Sequence, residues 1–197
     1  MKFCVSLSTI PSRIKNIYKT IDNLDNQTLK PDKVFLSIPR KYKRFKNETI
    51  SEVDINSLKN MNIEITRCED FGPGTKLMGS LSKIRDYDCV ILIDDDHLYN
   101  KHIFNIFINE FKKKQINYSF YLNKILNIKM GQCSDGFLIN TKLLDIIDIF
   151  YEKYVKKNKN MFLDDDLWFA IYLQKIKKSK IENLIEKYRL IVKNEDI

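Results

Sequence analysis

The chain has 197 residues, of which 44% are hydrophobic and 30% are charged, and this composition is typical of one globular domain with a substantial core. Four prolines and five glycines are too few for a long flexible linker. The formal net charge of +8 does not by itself select a partner, because an anionic substrate or a membrane surface would suit it as well as a nucleic acid.

The cysteine pattern predicts buried free thiols in a reducing compartment. The four cysteines form no Cys-x-x-Cys pair, and Cys4 and Cys89 lie within apolar runs. With two histidines in the chain, a Cys/His zinc site is not expected. We see no signal peptide and no apolar run of the roughly 20 residues that cross a bilayer. We therefore expect a cytoplasmic protein whose membrane contact is at most peripheral.

Strands and helices alternate in the first half of the chain. Short β-favouring runs predict four strands, at residues 3–8, 34–38, 61–66 and 89–93. Apolar residues at helical spacing predict a helix from Ile14 to Leu24 and another over residues 77–84. This alternation predicts an α/β domain with a mostly parallel central sheet flanked by helices.

The second half of the chain is predicted to add helices and a less regular region. Amphipathic patterns predict helices over residues 101–114, 142–155 and 164–175. Residues 120–130 are compatible with an edge hairpin, and residues 131–139 predict a loop that leads into a strand. We expect one domain over residues 1–175, and a basic C-terminal helix or arm over residues 176–197.

Asp94, Asp95 and Asp96 directly follow the apolar run 89–93. Three carboxylates beside a buried strand are costly unless a cation compensates them. On an extended strand, Asp94 and Asp96 would share one side, at the edge where open α/β sheets bind ligands. Two carboxylates leave Mg²⁺ or Mn²⁺ in need of further oxygens, so the triplet predicts a metal site completed by a diphosphate. The alternative is a solvated acidic turn, with Asp96 or Asn100 capping the next helix.

A second triplet, Asp164, Asp165 and Asp166, opens the predicted helix at residues 164–175. Carboxylates at a helix N-terminus cap free N–H groups and suit the helix dipole, which accounts for one or two of them. Asp164 is the best candidate for such a cap. The functional interpretation is that one of the others acts as a general base or binds an acceptor hydroxyl, with the dipole keeping it ionised.

Residues 72–76 read Gly-Pro-Gly-Thr-Lys. This segment is not the Gly-x-x-x-x-Gly-Lys-Ser/Thr phosphate loop, so a P-loop nucleotide hydrolase is excluded. A turn followed by threonine and lysine at the start of a helix could still hold a phosphate. The alternative is a tight turn with Lys76 on the surface.

Four stretches together resemble a known family. They are Ser-Thr-Ile-Pro-Ser-Arg at 8–13, Glu-Asp-Phe-Gly-Pro-Gly-Thr-Lys-Leu at 69–77, Ile-Asp-Asp-Asp-His-Leu-Tyr at 93–99 and Asp-Asp-Leu-Trp-Phe-Ala-Ile-Tyr-Leu at 165–173. Their order and spacing resemble nucleotide-sugar glycosyltransferases of the GT-A fold. The greatest similarity is to the small family-2-like enzymes of large DNA viruses, algae and microbes.

The resemblance implies a metal-dependent hexosyl- or pentosyltransferase of glycan biosynthesis, in the host cytoplasm if the protein is viral. The donor would be a nucleoside-diphosphate sugar, with a UDP-sugar favoured, and the acceptor a hydroxyl of a glycan or glycoprotein. Mn²⁺ or Mg²⁺ would be the cofactor, and no nucleic-acid partner is expected. One departure concerns the base, because residues 37–40 lack the acidic side chain with which relatives often hold uracil.

The resemblance also implies residue roles. The metal ligands would be Asp96 and Asp94, and the catalytic base would be Asp166 or Asp165, with Asp166 preferred. Residues that would contact the donor are Thr9, Pro11, Arg13, Lys76, Asp94, Asp95, Ser134, Asp135 and Gly136. Whether the reaction inverts or retains the anomeric configuration is left open.

Three other functions remain as alternatives. Phosphoryl transfer of the haloacid-dehalogenase type also uses Asp-x-Asp after an apolar strand, but here the motif lies mid-chain and continues with His97 and Leu98. A non-catalytic module that binds nucleic acid or acidic lipid would use the net charge and the basic segment 40–46. An inactive sugar-binding relative is the third.

Overall fold

The computed structural model describes residues 1–46, 48–188 and the backbone of residues 195–196. The strands in chain order are β1 (Phe3–Ser8), β2 (Lys33–Pro39), β3 (Glu64–Cys68), β4 (Cys89–Leu92), β5 (His97–Leu98), β6 (Asn117–Ser119), β7 (Leu122–Ile125), β8 (Ile128–Gly131), β9 (Phe137–Asn140), β10 (Ile181–Asn183) and β11 (Glu195–Asp196). The α-helices are α1 (Ile17–Asp25), α2 (Glu52–Ser57), α3 (Thr75–Met78), α4 (Leu81–Ile84), α5 (Ile103–Lys113), α6 (Ile147–Phe150), α7 (Lys159–Leu163), α8 (Asp165–Ile171) and α9 (Ile185–Tyr188).

Seven strands form the central sheet in the order β10-β6-β9-β4-β1-β2-β3. Strands β4, β1, β2 and β3 are parallel neighbours, β10 is parallel to β6, and β9 runs antiparallel to both β4 and β6. Strand β1 is central, with Ser6 opposite Phe35 of β2 and Leu92 of β4. The carboxyl ends of β1 to β4 therefore share one edge. The predicted α/β class with a mostly parallel sheet is confirmed.

Hydrophobic clusters cover both faces of the sheet. Alternate residues of β1 face opposite sides, so that Val5 belongs to one cluster and Cys4 to the other. Helices α1 and α5 cover the first face, where Phe104 and Phe107 are fully buried. Helix α8 helps to cover the second face with Trp168. Full burial of such a side chain contributes about 1.5–3 kcal/mol, which favours apolar residues on both faces of the central strands.

Several predicted elements differ from the structure in detail. The strand predicted at 61–66 begins three residues later and ends two residues later, and the helix 77–84 is divided into α3 and α4. The division lies at Ser80, whose backbone is not helical (φ -121°, ψ 17°) and whose hydroxyl lies 2.8 Å from that of Ser37. Residues 142–155 and 164–175 are not continuous α-helices, since each region ends in a π-helical turn. A hairpin is present near 120–130 as β7 and β8, but it forms a separate two-stranded sheet and not an edge of the central sheet.

The C-terminal region adds an element that was not predicted. Residues 181–183 form β10 at the edge of the central sheet, and α9 follows. The division into a domain over residues 1–175 and a separate arm stays a prediction, and most of residues 189–197 lie outside the described part of the chain. All four cysteines are free, and Cys68 is the one that is not fully buried. Among the described helices, none has the length and apolar character to span a membrane.

Candidate functional site

The candidate site lies at the edge of the sheet where its parallel strands end. Strand β4 ends at Leu92, and Asp94, Asp95 and Asp96 follow it after one residue. Residues 9–13 follow the neighbouring strand β1 at the same edge. Ligands of open α/β sheets bind beyond this edge, so the topology brings both segments to the expected position.

Arg13 connects these two segments. Its Nη2 atom lies 3.0 Å from Oδ1 of Asp95, and its Nη1 atom donates a hydrogen bond to Oδ2 of Asp96. The strand-like alternation predicted for the triplet is wrong, because β4 ends at Leu92 and the last two aspartates lie in a turn. Asp95 and Asp96 therefore share one guanidinium group. Arg13 supplies part of the positive charge that the triplet was expected to need.

Lys76 connects the first triplet to the second. Its ammonium group forms an ion pair with Oδ1 of Asp94 and lies 3.2 Å from Oδ2 of Asp165. The Lys76 side chain is 6% exposed and that of Asp165 is 11% exposed. The hydroxyl of Ser6 on β1 donates a hydrogen bond to the Lys76 carbonyl and fixes the backbone. The interpretation of Lys76 as a surface residue is wrong, and the two triplets belong to one site.

The glycine loop explains why Lys76 reaches the second triplet. Gly72 has a φ of 65°, which favours glycine, in the turn that leads to α3. A Cβ atom on Gly74 would lie 2.6 Å from Cζ2 of Trp168, so the loop packs directly on this ring. Trp168 is three residues from Asp165, on the same side of α8. Close packing at Gly74 therefore holds Lys76 beside Asp165.

Asp166 is oriented by the backbone at Cys133. The Cys133 N–H group donates a 3.1 Å hydrogen bond to Oδ1 of Asp166. Asp164 has a different role, because its Oδ1 atom accepts a 3.0 Å hydrogen bond from the N–H group of Leu167. The prediction that Asp164 caps the helix is confirmed. Asp165 and Asp166 remain the candidates for a catalytic or binding role.

Burial sets the protonation of the second triplet. Burial raises the pKa of Asp165, and the Lys76 ammonium opposes the rise. Burial, reinforced by repulsion from Asp165, raises the pKa of Asp166 to about 7. The expectation that the helix dipole keeps this group ionised is wrong, because the loss of hydration outweighs the dipole. Asp166 therefore exchanges its proton near neutral pH, as an effective general base does.

Burial and ion pairing shift the pKa values of Asp94 and Asp95 in opposite directions, and the three aspartates of the first triplet differ in exposure. Burial acts to raise the pKa of Asp94, but attraction to Lys76 outweighs it and the pKa is lowered. Burial raises the pKa of Asp95, which Arg13 only partly offsets. The side chains of Asp94 and Asp96 are 31% and 37% exposed, whereas that of Asp95 is 2% exposed. Asp94 and Asp96 are therefore the members that a ligand can reach.

Two groups of side chains offer potential ligand atoms for a metal ion. Asp94 and Asp96 offer accessible oxygen ligands of the kind that Mg²⁺ and Mn²⁺ prefer, so they fit an incomplete oxygen site. Among the described residues, Cys133, Asp165 and Asp166 also place potential ligand atoms within 4.8 Å of one another. Burial raises the pKa of the Cys133 thiol well above its usual range, and a protonated thiol is a poor ligand. Asp94 and Asp96, whose oxygens are accessible, therefore stay the predicted metal ligands.

The other predicted donor residues of the first segment surround Arg13. Thr9 is buried, and its carbonyl oxygen accepts a 2.8 Å hydrogen bond from the hydroxyl of Tyr42. Pro11 lies half-buried in the turn that leads to Arg13. The structure thus brings Thr9, Pro11 and Arg13 to the same edge as the first triplet, and their contact with a donor stays a prediction.

Residues 133–136 reach the site from the opposite side. Ser134 and Asp135 belong to a short 3-10 helix that begins at Cys133, and the Ser134 hydroxyl donates a 3.3 Å hydrogen bond to Oδ2 of Asp135. Gly136 has a φ of 88°, and a Cβ atom there would lie 2.8 Å from the Phe107 ring. This tight turn presents the Cys133 backbone to the second triplet. The donor-binding roles of Ser134, Asp135 and Gly136 also stay predictions.

Two residues that the sequence pattern did not single out, Tyr99 and His97, contact the first triplet. The Tyr99 hydroxyl accepts a 2.9 Å hydrogen bond from the N–H group of Asp94 and donates a 3.2 Å hydrogen bond to its carbonyl oxygen. Nδ1 of His97 lies 3.1 Å from Oδ1 of Asp96. Both residues lie in the stretch 93–99 that carried the resemblance. Their contacts depend on the turn at residues 95–96, which a strand pattern does not predict.

No protein-family model and no curated protein matches this sequence. Solved structures match in fold. S. aureus TarS 1–349 in complex with UDP-GlcNAc has a TM-score of 0.54 at 17% identity, over 76% of this chain and 48% of that chain. Mannosyltransferase PcManGT from Pyrobaculum calidifontis, in complex with GDP-Man and Mn²⁺, has a TM-score of 0.52 at 12% identity, over 74% and 46%. The chain thus spans about half the length of these two structures.

A third structure matches over more of its length. The 4-diphosphocytidyl-2C-methyl-D-erythritol synthase from Anaerococcus prevotii has a TM-score of 0.61 at 11% identity, over 92% of this chain and 86% of that chain. At these identities the likeness concerns the fold. Two of the three structures hold a nucleotide sugar, and the third is a synthase of a diphosphocytidyl compound. The chain therefore has the GT-A-like α/β fold.

Proposed function

We propose that this chain is a metal-dependent glycosyltransferase that uses a nucleoside-diphosphate sugar. The observation that carries the proposal is the convergence of Asp94, Lys76 and Asp165 at the carboxyl edge of a GT-A-like sheet. Two structures with this fold contain a nucleotide sugar, and one also contains Mn²⁺. An incomplete oxygen site beside a buried ammonium suits a diphosphate, which brings both oxygen ligands and negative charge.

On the donor side, Asp94 and Asp96 would hold Mn²⁺ or Mg²⁺. When bound, the metal supplies positive charge that stabilises the departing nucleoside diphosphate. Lys76 keeps Asp94 ionised and adds a positive charge in surroundings from which water is largely excluded. Arg13 orients Asp96 through its guanidinium group. Residues 9–13 would line the nucleotide, with a UDP-sugar favoured by the family resemblance.

On the acceptor side, Asp166 would be the general base. Its pKa of about 7 allows it to accept the acceptor hydroxyl proton near neutral pH. Asp165 is less suited to this role because its carboxylate pairs with Lys76. If the reaction inverts, Asp166 takes the proton as the hydroxyl oxygen attacks the anomeric carbon. If it retains, Asp165 and Asp166 position the substrates and stabilise the oxocarbenium-like transition state.

Nucleotidyl transfer is a second candidate, favoured by one observation. The diphosphocytidyl synthase matches 92% of this chain and 86% of its own, more than the two structures that hold nucleotide sugars. Two features argue for glycosyl transfer. A phosphate nucleophile is already ionised and needs no base such as Asp166. Residues 9–13 contain no glycine, whereas loops that hold nucleotide phosphates through backbone N–H groups are commonly glycine-rich.

A donor assay tests the proposal without knowledge of the acceptor. We expect wild-type protein with Mn²⁺ to release nucleoside diphosphate slowly from one member of a panel of UDP- and GDP-sugars. Nucleotidyl transfer would instead release pyrophosphate from a nucleoside triphosphate and a sugar phosphate. In titration calorimetry with Mn²⁺ and the nucleoside diphosphate, Asp96→Asn should weaken binding at least about tenfold.

The matched control is Asp164→Asn, because asparagine caps a helix as well as aspartate does. This variant should bind Mn²⁺ and nucleoside diphosphate as wild type does. The proposal fails if wild-type protein neither hydrolyses nor binds any member of the panel. Equal Mn²⁺ binding by Asp96→Asn and wild type would remove the assigned metal site.

A further inference from the structure

The basic segment, residues 40–46, lies at the same sheet edge as the candidate site. Arg40 directly follows β2, which runs parallel to β1 and β3. The N–H group of Lys43 donates a 2.6 Å hydrogen bond to Oδ2 of Asp70, and its ammonium group donates a 3.0 Å hydrogen bond to the Asp70 carbonyl. Asp70 precedes the glycine loop that carries Lys76. The basic segment is therefore fastened to the loop of the site.

A cavity of about 460 Å³ lies between the basic segment and α7. Three cations and two apolar side chains line it, namely Lys43, Arg44, Lys159, Phe162 and Leu163. No acidic residue is among them, and within residues 1–46 and 48–188 none of the three cations forms an ion pair. Cations grouped in this way attract an anion. We call this space the basic cavity.

The apolar wall of the basic cavity distinguishes it from a site for a free ion. The Lys43 ammonium lies 5.6 Å from the centre of the Phe162 ring, and Leu163 is 42% exposed. The face of an aromatic ring is electron-rich and attracts the polarised C–H groups of a sugar ring. The basic cavity therefore combines charge for an anionic group with apolar surface for the carbon skeleton that bears it.

The basic cavity lies close in the chain to the proposed catalytic base. Leu163 stands three residues before Asp166, so their Cα atoms are at most about 11 Å apart. Phe162 also packs against Gly72 of the glycine loop. One extended molecule can thus occupy the basic cavity while another of its groups reaches Asp166.

We propose that the acceptor is an anionic glycan. Its phosphate or carboxylate group binds to Lys43, Arg44 and Lys159, and a hydroxyl of the same chain reaches Asp166. This inference rests on the proposed glycosyltransferase function and adds the chemical class of the acceptor. Charge alone would also suit nucleic acid or acidic lipid, but the apolar wall and the proximity of the base favour a sugar chain.

Matched pairs of oligosaccharides test the acceptor class. One pair is tetragalacturonate and its methyl ester, which differ in the carboxylate charge. The other is a phosphorylated oligomannose and its dephosphorylated form, so that the two pairs distinguish carboxylate from phosphate. In titration calorimetry at near-physiological salt, we expect the charged member of at least one pair to bind about tenfold more tightly than its neutral partner.

Charge-removal variants locate the binding. Arg44→Gln/Lys159→Gln should reduce affinity for the charged oligosaccharide about tenfold, and it preserves the Lys43 hydrogen bonds to Asp70. The matched control is Lys112→Gln/Lys124→Gln, which removes two exposed charges outside the basic cavity and should bind as wild type does. Thermal unfolding of both variants checks that the fold is intact.

The outcomes separate this inference from the proposed function. Equal binding of the charged and neutral members of both pairs overturns the inference, as does unchanged binding by Arg44→Gln/Lys159→Gln. Preferential binding to duplex DNA or to phosphatidylserine vesicles also overturns it. Donor hydrolysis by wild-type protein is measured separately. Donor hydrolysis without charge preference refutes only the anionic acceptor, whereas the absence of both donor hydrolysis and donor binding refutes the proposed function.

Discussion

Replacing Asp166 with asparagine is expected to stabilise the fold and to remove activity. Burial and repulsion from Asp165 raise the pKa of Asp166 to about 7, so above that pH the folded state holds an unfavourable charge. Asparagine has nearly the same shape and can still accept the hydrogen bond from the Cys133 N–H group. The variant therefore removes the charge and the base while it preserves the packing.

The expected change in the free energy of unfolding follows from the pKa of Asp166. The ordinary pKa of an aspartate is 3.8, and a tenfold change in acidity is worth about 1.4 kcal/mol, so ionised Asp166 costs folding on the order of 4 kcal/mol. Between pH 3.8 and about 7 the folded state keeps a proton that the unfolded state has lost. Wild-type stability should therefore fall as the pH rises through this window. After relaxation around the charge, we expect Asp166→Asn to gain about 2–4 kcal/mol at pH 8 and about 0 at pH 4.

Urea unfolding at pH 4, 6 and 8 measures the stability difference, and the donor and acceptor assays measure the activity. Loss of a general base should lower the rate of transfer about 10²–10⁴-fold. Asp164→Asn is the control, because it changes an aspartate in the same triplet that only caps the helix. The reasoning is refuted if Asp166→Asn is less stable than wild type at pH 8, or if its stability difference does not change with pH.

Three further predictions concern the surrounding structure. Lys76→Met should destabilise the fold by about 3 kcal/mol in urea unfolding at pH 8, because it leaves buried carboxylates without their cation; a loss below about 1 kcal/mol would contradict the ion-pair assignment. Gly74→Ala should cost about 1–3 kcal/mol and shift the emission of Trp168, the single tryptophan, because the new methyl group would overlap its ring; unchanged emission would count against this packing. Burial acts to raise the pKa of Glu110, but hydrogen bonds from two lysines and a tyrosine outweigh it and lower the pKa to about 2. Glu110→Gln should therefore lose about 1–2 kcal/mol at pH 7, and this difference should disappear as the pH falls from 4.5 towards 2, measured by urea unfolding across that range.

The α/β class could be predicted because its signals are local. Apolar runs such as 89–93 mark strands that are buried on both faces, and the alternation with amphipathic helices indicates a parallel sheet. Short elements gave no such signal. The three-residue strands β6 and β10 pair with each other, and the break between α3 and α4 lies where Ser80 contacts Ser37. These features arise from contacts that are distant in the sequence.

The features of the candidate site that depend on local contacts could be predicted, whereas those that depend on distant contacts could not. The helix cap by Asp164 follows from its position and a local hydrogen bond. The ion pairs of Lys76 with Asp94 and Asp165 join residues that are 18 and 89 positions away, so no spacing rule reveals them. The predicted metal and donor roles of Asp94 and Asp96 still await their test.

The sequence by itself determined that this chain forms an α/β domain and that acidic triplets follow one buried strand and begin one helix. Only the tertiary structure decided which partners the aspartates of the triplets have and how the pKa of Asp166 is shifted. It pairs Asp95 and Asp96 with Arg13, joins Asp94 to Asp165 through Lys76, and leaves Asp166 with a pKa of about 7. The physical reason is that burial and opposing charge, which set the state of a carboxylate, depend on which segments the fold brings together.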